Sequence, residues 1–239
     1  MRRPCFPVLL SLLMALFCFE VQAADTKASA KDGKTLTLGV LLFPGFELLD
    51  AYGPLELWGN MKQRVSIVTI SQKIGPISSA QGPQTVATHD YATAPPLDLL
   101  LVPGGFGAFK ALQDETTLSW LRERSGSARL TMSVCNGASI LAAAGLLDGR
   151  PATTNKAYWK AATRYGNNVK WVPQARWVDD GSIVTSSGVS AGIDMTLHVI
   201  SRLFTLRLAE KMADEIEHEW HRDSSWDPFA VKNGLVPAH

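Results

Sequence analysis

The sequence predicts an α/β fold, an open and mostly parallel central sheet with helices on both faces. Three observations carry this reading. Leu36 to Phe43 (LTLGVLLF), Leu97 to Val102 (LDLLLV) and Leu130 to Val134 (LTMSV) are short, nearly continuous apolar runs, the pattern of strands buried on both faces. Stretches with apolar residues at helical spacing lie between them, so strands and helices alternate. Each run ends in a loop of glycine or other small residues, and in open parallel sheets ligands collect at the carboxyl ends of the strands.

The amino end stands apart from this pattern. Arg2 and Arg3 precede an apolar run from Val8 to Phe19, which closes on Val21-Gln22-Ala23. This is the form of a secretory signal peptide cut after Ala23, and the run is shorter than the ~20 residues a membrane-spanning helix needs. A lipid anchor on Cys18 is disfavoured by the large Leu16 and Phe17 before it. Residues 24–34 read as a flexible leader, 35–220 as one domain and 221–239 as an irregular tail. The expected location is periplasmic or secreted.

Taken in order, Leu36 to Phe43 is the first core strand, closed by Pro44-Gly45. A helix is expected from about Gly53 to Met61, with Pro54 near its start. Val65 to Ile70 (VSIVTI) is a β-branched strand, and Ile77 to Thr88 forms hairpin-like pieces broken at Gly82-Pro83. After Leu97 to Val102 comes the loop Pro103-Gly104-Gly105-Phe106-Gly107, then helix to Arg124 with a turn or cap at Asp114 to Thr117. Leu130 to Val134 leads through Cys135 into a helix that stops at Gly145. A short strand and an amphipathic helix fit Ala152 to Tyr165. Arg176 to Val178 and Ile183 to Thr185 form a hairpin around Asp179-Asp180-Gly181. Helices follow at Ala191 to Phe204 and Leu206 to Trp220.

The 239 residues carry a formal charge of +1, and no basic patch alternates with aromatics, so nucleic acid is not an expected partner. Removal of a signal peptide takes Cys5 and Cys18 with it and leaves Cys135 as a lone thiol. In an oxidising compartment a lone thiol is either a buried apolar filler or a reactive group. Position favours the reactive group. Ser133 and Gly137, two residues before and after Cys135, are small enough for the tight strand-to-helix turn of a nucleophile elbow. The helix that begins at Asn136 is expected to favour the thiolate.

A thiol attacking an unsaturated carbon needs donors for the developing charge, and the amides of Gly105, Phe106 and Asn136 are candidates beside Gly104. Asp50 and Glu56 are the candidate acid/base groups. Asp50 lies among apolar residues, where a carboxylate needs a task or a partner, and a helix cap is an equal reading from spacing alone. Trp58, Phe106, Tyr158 and Trp159 are candidate walls of an apolar pocket. Of the five histidines, His198 reads as a satisfied helix residue. His218 and His221 with Glu217 read as a solvated helix end, with no recognised metal spacing.

Six segments carry a family resemblance. They are Leu41 to Phe46 (LLFPGF), Leu49 to Glu56 (LDAYGPLE), Pro95 to Gly105 (PPLDLLLVPGG), Ser133 to Ala138 (SVCNGA), Leu141 to Arg150 (LAAAGLLDGR) and Thr185 to Asp194 (TSSGVSAGID). Together, in this order, they resemble the ThiJ/PfpI family, and its isonitrile hydratase branch in particular. The resemblance implies a flavodoxin-like three-layer sandwich of the class I glutamine amidotransferase-like superfamily, usually a homodimer, with no cofactor and no metal. It implies a lyase that adds water to an isocyanide to give an N-substituted formamide, with Cys135 as nucleophile and Asp50 moving protons. Two positions depart from the pattern. Asn136 stands where the hydratase pattern has a catalytic threonine, and Asn155 stands where many relatives have the histidine of an Ala-Thr-Thr-His motif.

Two other readings follow from the same residues. In a redox or stress-protective protein, Cys135 is oxidised reversibly and Asp50 or Glu56 stabilises the sulfinic form. In a periplasmic ligand-binding module the domain binds without turnover. The same domain forms the sensor half of AraC-type regulators, but no helix-turn-helix segment follows it in this sequence.

Overall fold

The computed structural model describes residues 34–237. The expected signal peptide and most of the leader lie outside the described residues. Among these residues, no helix is long and apolar enough to cross a membrane.

Six strands form the central sheet. They are β1 (Leu36–Leu41), β2 (Val65–Ile70), β5 (Leu99–Val102), β6 (Leu130–Ser133), β9 (Trp177–Asp179) and β10 (Ile183–Ser186), in the order β2-β1-β5-β6-β10-β9. All neighbours are parallel except the β10–β9 hairpin at the edge. The apolar runs are continuous because both faces are covered: Leu38, Val40, Leu99, Leu100, Leu101, Met132 and Val184 are all fully buried. Each such side chain contributes roughly 1.5–3 kcal/mol of burial.

One covering layer holds α1 (Leu48–Gly59), α6 (Ala191–Leu203) and α7 (Leu206–Glu215), with α6 packed against both others. The other holds α2 (Ala108–Ala111), α3 (Glu115–Ser127) and α4 (Gly137–Ala143), with α4 touching α2 and α3. A separate hairpin pairs β3 (Gly75–Ser78) with β4 (Gln84–Ala87), as the sequence suggested. Asp114 caps α3 through Thr117 N.

Four elements differ from expectation. Helix α1 begins at Leu48 rather than near Gly53, because Glu47 N is held by Gly104 O at 2.8 Å and the chain turns there. Asp50 therefore sits in the first helical turn, not at a cap. Between 152 and 165 the helix is reduced to α5 (Trp159–Ala162) and one 3-10 turn. A small ladder joins β7 (Pro151–Ala152) to β8 (Lys170–Trp171). Helix α7 stops at Glu215, short of Trp220, because Glu217 takes a left-handed φ of 51° and His218 N closes back on Ala213 O. The tail is not wholly irregular: Asp227 caps α8 (Pro228–Lys232), with Pro228 in its first turn.

Candidate active site

The rim at the carboxyl ends of β1, β5, β6 and β10 carries the site. Cys135 follows β6 with φ at 58°, a left-handed conformation that a non-glycine residue adopts only when its surroundings hold it there. Three contacts do so. Cys135 N donates to Ser187 O at 3.3 Å, Thr154 Oγ1 donates to Cys135 O at 2.9 Å, and Gly137 N donates to Val134 O at 3.0 Å. The small flanks are needed: a Cβ on Gly137 would lie 2.8 Å from Pro103 O. The elbow read from the sequence is present.

Asp50 reaches the same point from α1. It is fully buried, and its Oδ2 accepts from Gly104 N at 2.9 Å. Its Oδ1 has no hydrogen-bond partner among the described residues, and the Cys135 thiol is one of the groups that act on the carboxyl. Burial pushes the Asp50 carboxyl well above the usual carboxylate range; the Gly104 amide opposes this, the charge of Glu47 adds to it and the Cys135 thiol lowers it.

Burial also pushes the Cys135 thiol well up, reinforced by the charge of Asp50. The Asn136 amide and the Asn155 side chain pull it down, and neither overcomes the burial. This corrects the expected thiolate. A helix of only seven residues, Gly137–Ala143, cannot offset the loss of water and a carboxylate alongside.

The Asn136 side chain has a task besides the one expected of its backbone amide. Its Oδ1 accepts from Gly105 N at 2.7 Å and its Nδ2 donates to Gly105 O at 3.0 Å, so the side chain clamps the glycine loop. Two of the expected charge-stabilising donors are consequently in use, Gly104 N by Asp50 and Gly105 N by Asn136. Asn136 N faces the sulfur, and Phe106 N is not committed to another group among the described residues.

Glu56 is not brought to the site. It lies on the exposed face of α1, 3.4 Å from Asn60 Nδ2. Phe106 is 64% exposed and stands at the mouth of a cavity of about 100 Å³ over the sulfur. Its ring meets Tyr158 edge-on at 5.6 Å, and Phe109, Val189 and Glu47 complete the walls. Trp58 is fully buried core instead, and Trp159 packs on Lys156 and Trp171.

Asn155 belongs to the site, although the sequence marked it only as a departure from a motif. Its Oδ1 accepts from Tyr158 N at 3.0 Å, which turns its amide nitrogen to the sulfur. Gly188 closes the other side; a Cβ there would sit 2.5 Å from Asn155 Nδ2 and 2.8 Å from Cys135 Sγ. Nothing in the sequence flagged Glu47, which reads as an ordinary helix-start residue. The described histidines lie elsewhere: His89 bonds Thr88, His198 bonds Asp179 at 2.7 Å, His218 bonds Asp194 at 2.9 Å and the backbone N of His221 donates to the same Asp194 at 3.1 Å. His218 is thus tied to a buried carboxylate rather than solvated. Among the described residues no cluster of three His, Cys, Asp or Glu side chains is placed to hold a metal ion.

The DJ-1/PfpI family profile matches residues 37–202, from β1 through α6. The chain belongs to the DJ-1/PfpI family. The isonitrile hydratase of Pseudomonas putida is 34% identical over 184 residues, covering 77% of this chain and 78% of that protein. The HTH-type transcriptional regulator CdhR of Pseudomonas aeruginosa is 28% identical over 184 residues, covering 73% of this chain and 53% of the regulator. Among solved structures, a ThiJ/PfpI family protein from Pseudomonas syringae superposes with a TM-score of 0.72 at 28% identity, over 85% of each chain. The flavodoxin-like sandwich expected from the resemblance is the fold observed.

Proposed function

We propose that the protein is a cysteine-dependent hydro-lyase that adds water to a small isocyanide. The observation that carries this reading is the Asp50–Cys135 pair, a buried carboxyl with one oxygen on Gly104 N, the other without a hydrogen-bond partner, and the thiol acting on it. The 34% identity to an isonitrile hydratase supports it, and the buried Asp50 beside the thiol is the group assigned to proton transfer.

Sulfur attacks the terminal isocyanide carbon while the thiol proton passes to Asp50 Oδ1 and on to that carbon, giving a thioimidate on Cys135. Water then adds to the thioimidate carbon, the C–S bond breaks, one water proton goes to nitrogen and the other returns through Asp50 to the thiol. The product is an N-substituted formamide. An isocyanide suits a protonated thiol, because its carbon takes up both the sulfur and the proton. The cavity of about 100 Å³ admits only a compact group at the sulfur, and its aromatic walls accept an apolar substituent. The burial of the thiol weighs against a peroxide sensor, which needs an accessible sulfur. Export from the cytoplasm and pairing as a homodimer remain parts of this proposal, supported by the amino-terminal pattern and the family resemblance.

The test is incubation with a panel of isocyanides, amides and α-oxoaldehydes. Formamide production that disappears in Cys135→Ala, with the fold intact, is the expected result. Full activity in Cys135→Ala, or saturable binding with no turnover in the unaltered protein, contradicts the proposal.

A further inference from the structure

The carboxyl-terminal segment lies beyond residue 202, where the family match ends, yet it returns to the rim. Asp227 is fully buried, and a buried carboxylate is costly unless it is paired. Its Oδ1 caps α8 by accepting from Phe229 N at 3.0 Å. Its Oδ2 has no hydrogen bond and lies 3.9 Å from Lys156 Nζ. The Lys156 side chain is buried as deeply. Its ammonium donates to Thr153 Oγ1 at 2.6 Å, Ala175 O at 2.7 Å and Thr154 O at 3.1 Å. The cation ties the tail to the turn at 153–156.

That turn holds Cys135 directly. Thr154 Oγ1 donates to Cys135 O, and Asn155, the residue before Lys156, presents its amide to the sulfur. A second route runs through the backbone. Ser224 O accepts from Arg176 N at 2.9 Å, Arg176 O from Ser187 N at 2.8 Å, and Ser187 O from Cys135 N at 3.3 Å. Both routes start in the tail and end on the same residue.

We infer that Lys156 and Asp227 are positioning residues for the nucleophile, their buried ion pair fixing the turn that holds the Asn155 amide on Cys135. The inference rests on the reading of Cys135 as a nucleophile. The tail beyond the family domain is then a working part of the active site. Lys156 is faced by Asp227 and Arg176, whereas the charges acting on the sulfur are those of Asp50 and Glu47. Lys156 therefore reaches the sulfur through geometry.

The experiment is a pH profile of Cys135 alkylation by iodoacetamide in the full chain. It is followed by mass spectrometry on the Cys135 peptide, so that Cys5 and Cys18 do not contribute. Asn155→Ala and Asp227→Asn are each expected to slow alkylation by roughly tenfold at pH 7, below the value of about 8 to which burial lowers the Lys156 ammonium, as for loss of one hydrogen bond to a charged group; the effect of Asp227→Asn fades as pH rises past that value. In the Asn155→Ala background, Asp227→Asn is expected to add nothing, because both act through one amide. An unchanged profile for Asp227→Asn, or fully additive effects in the double variant, overturns the inference while leaving the nucleophile reading intact. If Asp227→Asn does not fold, Lys156→Met with Asp227→Leu removes both charges and leaves no lone one behind, under the same criteria. A Cys135 that resists alkylation at every pH in the unaltered protein overturns both readings.

Discussion

Two aspartates in this fold are equally buried and do opposite things. Asp194, in the first turn of α6, accepts from Arg176 Nε at 2.7 Å, His218 Nε2 at 2.9 Å and His221 N at 3.1 Å, and its backbone oxygen takes Trp220 Nε1 at 3.2 Å. Asp50, in the first turn of α1, has one amide and a thiol. The first carboxylate is a rivet, its charge answered by the Arg176 guanidinium on one side and the 218–221 segment on the other. The second is held at a cost and left with a free oxygen. Burial alone does not mark a functional carboxylate; incomplete partnering at a rim does.

The largest expected effect separates the two by stability. Asp194→Ala leaves the Arg176 charge buried and unpaired, so a loss of about 3–5 kcal/mol is expected in denaturant unfolding. Asp50→Asn removes no ionic partner and is expected to fall within about 1 kcal/mol of the unaltered protein. Equal losses would erase the distinction.

A second effect concerns the thiol. Because the Asp50 charge raises the Cys135 pKa, Asp50→Asn is expected to lower the pH midpoint of Cys135 alkylation, whereas Asp194→Asn leaves it in place. An upward shift in Asp50→Asn would mean that the carboxyl assists ionisation instead of opposing it.

A smaller effect appears in stability against pH. The folded pKa of Asp50 lies above its unfolded value, roughly 3.9 for a free aspartate, so its contribution is full below that value. It is lost as pH rises through the folded pKa. Asp50→Asn should flatten this part of the Tm profile, and an unaltered slope would place the titration elsewhere. The smallest effect is at Glu56: Glu56→Gln is expected to leave turnover and stability unchanged, since the side chain is exposed and bonds Asn60 one turn along, at the end of the same helix. Loss of turnover there would restore it to the site.

The parts of this site legible in the sequence are the local ones. Ser133 and Gly137 announce the elbow because a tight turn needs small neighbours, and the buried strands announce themselves by continuous apolar runs. The missed parts depend on contacts between distant segments. Asn155 faces the sulfur because Oδ1 is taken by Tyr158 N, and the Asn136 side chain clamps Gly105. The tail looked irregular because Asp227 has meaning only once Lys156 is beneath it. The upward push on the Cys135 thiol is hidden for a related reason: a helix start is visible in sequence, while the depth of burial that outweighs it is not.

The account stands most directly on one measurement, the turnover of an isocyanide to its formamide by Asp50→Asn with Cys135 alkylation recorded on the same sample. The prediction is an alkylatable thiol and a rate reduced by roughly 10²–10⁴-fold, the loss expected when a general acid/base is removed. Turnover near that of the unaltered protein, with the thiol still reactive, would contradict it.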